Sequence, residues 1–146
     1  MHDLPRQLSE DELAALFEGH SRLVAELAQR DDPLGQARAV LAGLPDEARV
    51  EALNTHPRIG QRANLSARSA AEQGSDEDPA LLSVLARLNK AYERKFGFRF
   101  VVFVDGRPRG ELIPVLRQRL QRSREEELAT GCDELVAIAL DRWRGR

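Results

Sequence analysis

Three places in this 146-residue sequence carry residue types and spacings that could act on a small molecule. The first is His56, followed directly by Pro57. A proline pushes the preceding backbone out of the helical region, so His56 should end the helix that the upstream residues predict. A helix C-terminus favours a protonated imidazole, which would give a general acid or base titrating in the physiological range. The plainer alternative is an exposed histidine at a helix stop. The second place is Ser69-x-x-Glu72-Gln73, which sets a hydroxyl and a carboxylate on one face if the segment is helical. A capping box has the same spacing. The third is Arg142, beside Trp143 near the chain end, either a cation for an anionic substrate or a helix-dipole partner with its stem on the surface. Together these residues suit acid/base chemistry on an anion.

Other chemistries lack their signatures. The sequence holds no phosphate-binding glycine loop, no His-Glu-x-x-His, no Cys-x-x-Cys and no nucleophile elbow. Its three histidines, His2, His20 and His56, are scattered, so no metal site is expected.

The elements that must position these residues read as helices. Ser9-x-x-Glu12 has capping-box spacing and precedes an apolar face of Leu13, Leu16 and Phe17. A second helix is predicted from Ser21, with Leu23, Val24, Leu27 and Ala28 inward. Asp32-Pro33 supplies an N-cap and a first-turn proline for a third, whose stripe of Leu34, Ala37, Val40 and Leu41 runs to Gly43. A fourth follows Pro45, carries Val50 and Leu53, and stops near His56. Residues 58–78 form a polar stretch in which a short helix is predicted over 69–73, capped by Ser66. Asp78-Pro79 opens the clearest helix, with Leu81, Leu85, Leu88 and Tyr92 on one face and Gly97 as its stop.

Residues 98–104, Phe-Arg-Phe-Val-Val-Phe-Val, are apolar on both faces and have strand propensity. No second segment offers itself for pairing, so a lone extended stretch among helices is predicted. A turn over 105–110 follows, then a helix after Pro114 with Val115, Leu116 and Leu120 inward. A last helix starts at Ser123-x-x-Glu126, with Leu128, Cys132, Leu135, Ile138 and Ala139 on its core face. The expectation is one all-α domain over residues 1–146, a helical bundle with one extended apolar segment.

Composition bounds the rest. With 22 basic against 24 acidic residues, the charge balance argues against a general nucleic-acid binder. Arg117, Arg119, Arg122 and Arg124 cluster, but Glu125, Glu126 and Glu127 follow at once, which predicts a solvated helix surface. Forty-two per cent of the residues are apolar, enough for a core, yet no run approaches a membrane span. Cys132 is the single cysteine, so an internal disulfide is excluded and a reducing compartment is expected. The first residues do not resemble a secretory signal and the last are not a peroxisomal address, so the cytoplasm is the expected location.

Taken in order, the motifs are far more specific than any one of them. His56-Pro57-Arg58-Ile59-Gly60, then Ser69-x-x-Glu72-Gln73, then Asn89-x-x-Tyr92-x-x-Lys95-Phe96-Gly97-Phe98-x-Phe100 resembles the family of decarboxylases acting on 2-oxo-4-hydroxy-4-carboxy-5-ureidoimidazoline (OHCU). Phe17-Glu18-Gly19-His20-Ser21 and Leu116-x-x-Arg119-Leu120 are similar to further family positions, so the likeness spans nearly the whole chain. The resemblance implies an all-α homodimer without a cofactor that turns OHCU into (S)-allantoin during urate breakdown. It also implies that His56, Glu72 and Arg142 are catalytic, with Arg119 a competitor for the arginine's place. Pro57, Ser69, Gln73, Phe98, Phe100 and Val102 would contact substrate, the last three from the extended segment. Two alternatives stay open from sequence: a non-catalytic ligand-binding module on the same scaffold, and a decarboxylase of a related ureido acid.

Overall fold

The computed structural model describes residues 7–59 and 78–145. Seven helices fill them: α1 (Glu10–Phe17), α2 (Arg22–Leu27), α3 (Pro33–Gly43), α4 (Asp46–Asn54), α5 (Pro79–Phe96), α6 (Arg109–Arg119) and α7 (Arg124–Arg144). No β-strand occurs among the described residues. Local sequence sets most of the boundaries. Both capping boxes form, Ser9 with Glu12 and Ser123 with Glu126, each satisfying backbone N–H groups that a helix start leaves open. Asp32 and Asp78 accept from the first turns of α3 and α5, each ahead of a first-turn proline. Gly97 ends α5 at φ 84°, in the left-handed region that glycine enters without penalty.

The longest helix, α7, is the hub of the bundle. It packs against α1, α3, α4 and α5, and α6 lies along α5. Its buried face runs Leu128, Cys132, Leu135, Ala139 and on to Arg142, at helical steps of three and four residues. Arg142 thus continues the core stripe rather than leaving it.

The helix over α6 begins earlier than the sequence suggests. It starts at Arg109, behind an extended Pro108, and contains Pro114 in its interior. An interior proline removes one helical hydrogen bond and costs about 3 kcal/mol. Leu112 and Leu116 lie on either side of it and are fully buried. Burying a leucine contributes about 1.5–3 kcal/mol, so the pair offsets the proline's cost.

Residues 98–104 are extended and unpaired, as the sequence predicts, and Phe98, Phe100, Val101, Val102 and Val104 are buried. A charged network fixes the segment. Glu127 is wholly inaccessible, and its carboxylate accepts from the Tyr92 hydroxyl at 2.6 Å, Arg119 Nε at 2.7 Å and Arg122 Nη1 at 2.9 Å. Arg119 in turn donates to the Val101 carbonyl at 2.8 Å and lies over the Phe100 ring. The solvated surface expected for this arginine–glutamate cluster is therefore corrected at Arg119, Arg122 and Glu127. Glu127 and Arg119 reach partners on α5 and in the extended segment, which a local reading of charge does not see, and Arg122 joins them through Glu127. Burial and the bond to Glu127 push the Tyr92 hydroxyl's pKa up.

Removing one partner from a buried ion pair leaves the other charge uncompensated, which costs about 3–5 kcal/mol. Glu127→Ala is therefore expected to destabilise the fold by about that amount. Urea unfolding reads this directly, and a change below about 1 kcal/mol would show that the network is not a stability element.

Candidate active site

His56 stands two residues beyond α4, where its N–H bonds the Leu53 carbonyl at 3.2 Å. The segment it begins is fastened from three sides. Arg99 Nη1 donates to the His56 carbonyl at 2.8 Å, and the Arg99 N–H donates to Asn54 Oδ1 at 3.0 Å. Asn89 Nδ2 donates to the Ile59 carbonyl at 2.9 Å. Glu93, one turn further along α5, takes a two-pronged bond from Arg58 at 2.6 and 2.9 Å. The spacing Asn89-x-x-x-Glu93 thus puts two clamps on the same helix face.

The imidazole itself is buried, with 6% of the residue exposed, and its Nε2 has no hydrogen-bond partner among the described residues. It lines a cavity of about 130 Å³ together with Pro57, Phe100, Val102, Ile138 and Arg142. Burial is the main cause that holds the His56 pKa down at about 3, the nearby Arg142 charge adds to it, and Glu18 opposes it. This corrects two expectations, the exposed histidine and the imidazole charged by a helix end. Desolvation by burial outweighs the dipole of the short α4. At neutral pH His56 is a neutral imidazole, with one N–H to give and one lone pair to accept.

Arg142 is also buried, at 5% exposure. Its Nη1 donates to the Leu16 carbonyl at 2.9 Å and its Nη2 to Glu18 Oε1 at 3.0 Å. The Thr55 hydroxyl donates to the neighbouring Phe17 carbonyl at 3.0 Å. Two carbonyls at the C-terminus of α1, which lack intrahelical partners, thus accept from Arg142 and Thr55. The surface reading of Arg142 is corrected; its spacing from Leu135 and Ile138 was the signal for burial.

Of the site residues predicted from sequence, the structure brings together His56, Pro57, Phe100, Val102 and Arg142 on one cavity wall. Phe98 stands apart. It packs in an aromatic cluster with Tyr92 and Phe96, and it lines a separate hollow with Arg58, Glu93 and Arg99. Arg119 is committed to Glu127 and Val101 and is not on the cavity wall. Glu72, Ser69 and Gln73, with the short helix expected over 69–73, lie outside the described residues. Sequence reasoning gave no role to Glu18, Asn54, Asn89, Glu93 or Arg99, because each acts on residues distant in the chain. No group of three or more His, Cys, Asp or Glu side chains that could hold a metal occurs among the described residues. No described helix is long and apolar enough to cross a membrane.

The low pKa of His56 has a consequence for stability. An unfolded histidine titrates near 6.5, so between that pH and about 3 the unfolded state binds a proton that the folded state refuses. This contribution is fully present above pH 6.5 and is lost as pH falls, at up to about 1.4 kcal/mol per unit. Between pH 6 and pH 4 the wild type is expected to lose about 2–3 kcal/mol more than His56→Asn. Paired urea titrations at the two pH values check it; equal acid losses in both proteins would contradict a buried neutral imidazole.

Comparison with known proteins agrees with the motifs. A model of the OHCU decarboxylase family matches residues 2–144. The 2-oxo-4-hydroxy-4-carboxy-5-ureidoimidazoline decarboxylase of Haloferax volcanii is 30% identical over 140 residues, covering 88% of this chain and 83% of that protein. The uric acid degradation bifunctional protein PucL of Bacillus subtilis is 26% identical over 151 residues, covering 95% of this chain but 30% of its own length. A crystal structure of OHCU decarboxylase in the presence of (S)-allantoin has the same fold, with a TM-score of 0.75 at 22% identity, covering 90% of this chain and 94% of that one. The family match over nearly the full length, the fold, and the burial of a histidine beside an arginine in one small cavity agree: this chain belongs to the OHCU decarboxylase family.

Proposed function

We infer that this protein decarboxylates OHCU to (S)-allantoin in urate degradation, and that His56, Glu72 and Arg142 carry the reaction. The observation that supports this most is the buried Nε2 of His56, without a partner among the described residues, in a cavity shared with Arg142. A buried polar atom without a partner costs free energy unless a ligand satisfies it.

Loss of CO2 leaves an electron pair on the hydroxyl-bearing carbon. That carbon adjoins the ring C=N, so the pair forms a C=C bond and charge moves to the ring nitrogen. The substrate thus provides its own electron sink, and no cofactor is required for this step. Product formation then turns the hydroxyl into a carbonyl, which releases its proton, and places a proton on the ureido-bearing carbon. A neutral imidazole suits this transfer: His56 accepts the hydroxyl proton and returns it to carbon. One proton from solvent goes to the ring nitrogen and balances the lost carboxylate charge. Arg142 stabilises the negative charge as it builds on the ring. Glu72 would hold the ureido N–H groups, with Ser69, Gln73 and Pro57 as further contacts. Phe100 and Val102 would close the wall from the extended segment, and Phe98 would act from behind it. Delivery of the proton to one face sets the S configuration.

The direct test is CO2 release from OHCU generated in place from urate. Release well above the spontaneous rate is expected, and release at the background rate from folded protein would overturn the reading. We further propose a homodimer, as the family resemblance implies, and a cytoplasmic location. Sedimentation should then give twice the 16.3 kDa chain mass, and a monomer across micromolar concentrations would contradict it.

A further inference from the structure

Glu18 combines two features that stability alone disfavours. It caps the C-terminus of α1 at φ 68°, ψ 19°, left-handed geometry that costs a side-chain-bearing residue roughly 1 kcal/mol or more. Glycine is the usual occupant of such a cap, and Gly19, the next residue, is itself at φ 155°. Its carboxylate is also largely buried, with 14% of the side chain exposed, and a buried charge carries a desolvation penalty. Strained backbone of this kind persists where the surroundings over-determine it, commonly at functional sites.

Both features serve one contact. The αL turn lets the Glu18 side chain meet Arg142 Nη2 at 3.0 Å while Arg142 Nη1 is tied to the Leu16 carbonyl at 2.9 Å. Two N–H groups held by two consecutive features of the α1 terminus fix the guanidinium plane, because a guanidinium donates in a rigid fork. That plane belongs to a side chain lining the same cavity as His56. The Glu18 charge also reaches His56, where it works against the Arg142 charge.

We propose that Glu18 is a positioning residue for the decarboxylation: through its hydrogen bond it holds the Arg142 guanidinium where negative charge develops on the substrate ring. The proposal rests on the functional reading given above. It separates two roles of Arg142. The positive charge attracts the anionic substrate wherever the side chain points, whereas stabilising the transition state needs the orientation.

Glu18→Gly relieves the αL strain and removes the carboxylate. It is expected to lower kcat by about 10–100-fold, the scale of a misplaced catalytic group, while KM changes by less than about threefold. Glu18→Gln keeps an oxygen at the same reach and is expected to recover kcat to within about threefold of wild type. Nitrogen-15 NMR gives a readout independent of turnover. The Arg142 Nη–H signals should be resolved in wild type and in Glu18→Gln, where rotation is hindered, and averaged in Glu18→Gly. Wild-type kcat in folded Glu18→Gly, a Gln variant as impaired as the Gly variant, or unchanged Arg142 signals would each overturn the proposal. Absence of CO2 release by the wild type would instead remove the functional reading, while the NMR comparison would still decide whether Glu18 fixes Arg142.

Discussion

Replacing His56 by alanine is expected to lower kcat by about 10²–10⁴-fold, the range a positioned acid/base group contributes. Melting should remain cooperative, because the substitution removes a buried polar ring whose Nε2 bonds nothing among the described residues. The methyl group also escapes the acid penalty of the imidazole. His56→Asn should be nearly as inactive, since an amide can donate or accept but cannot shuttle a proton between two sites. Because the His56 pKa is held at about 3, activity should show no histidine inflection between pH 6 and 8 in the free enzyme. A kcat/KM profile with a step near 6.5 would mean that the imidazole is not shielded as the cavity implies. Steady-state rates across that range, on variants shown to be folded, check both statements.

Arg142→Gln is expected to lower kcat by about 10²–10³-fold, as for loss of one preorganised charge-stabilising donor. Unlike His56, Arg142 also has a structural duty. It holds the Leu16 carbonyl and Glu18, so the variant should be less stable as well. Glutamine retains one donor and limits that effect, so it separates turnover from unfolding better than alanine does. Arg142→Lys keeps the charge but cannot satisfy two partners in one plane, and it should fall between wild type and the glutamine variant. Within tenfold of wild-type kcat, a folded Arg142→Gln protein would shift the role to another cation. Arg119 is poorly placed to take it, since Glu127 and Val101 hold its Nε and Nη1 away from the cavity wall.

The sequence showed what is decided locally. The capping boxes at Ser9 and Ser123, the Asp-Pro starts of α3 and α5 and the glycine stop at Gly97 each depend on residues within a turn of one another, and all form. The lone extended segment was legible because both its faces are apolar, a pattern that demands burial without demanding a sheet. Pro114 misled for the same local reason: it reads as a helix start until burial of Leu112 and Leu116 is weighed against it. The site was half legible. Arg142 sits on the periodic core face of α7, so its burial could have been derived from Leu135 and Ile138. The electrostatics of His56 could not, because Glu18 and Arg142 come from opposite ends of the sequence. Glu127 looked like one charge in a solvated run, and only the arrival of Tyr92 and Arg119 from other helices makes it a buried hub. The identity of the reaction came from resemblance: the residues alone gave acid/base chemistry on an anion and stopped there.

The cavity holding His56 and Arg142 is expected to decarboxylate OHCU with control of handedness. OHCU decays by itself to racemic allantoin, so its disappearance is a poor readout and the circular dichroism of the product is the decisive one. With OHCU formed in place from urate by the two preceding activities, the wild-type protein should give a rapid dichroic signal of (S)-allantoin, and His56→Ala should give none above background. A racemic product at the spontaneous rate, from wild-type protein shown to be folded, would contradict the account and leave a family scaffold without this activity.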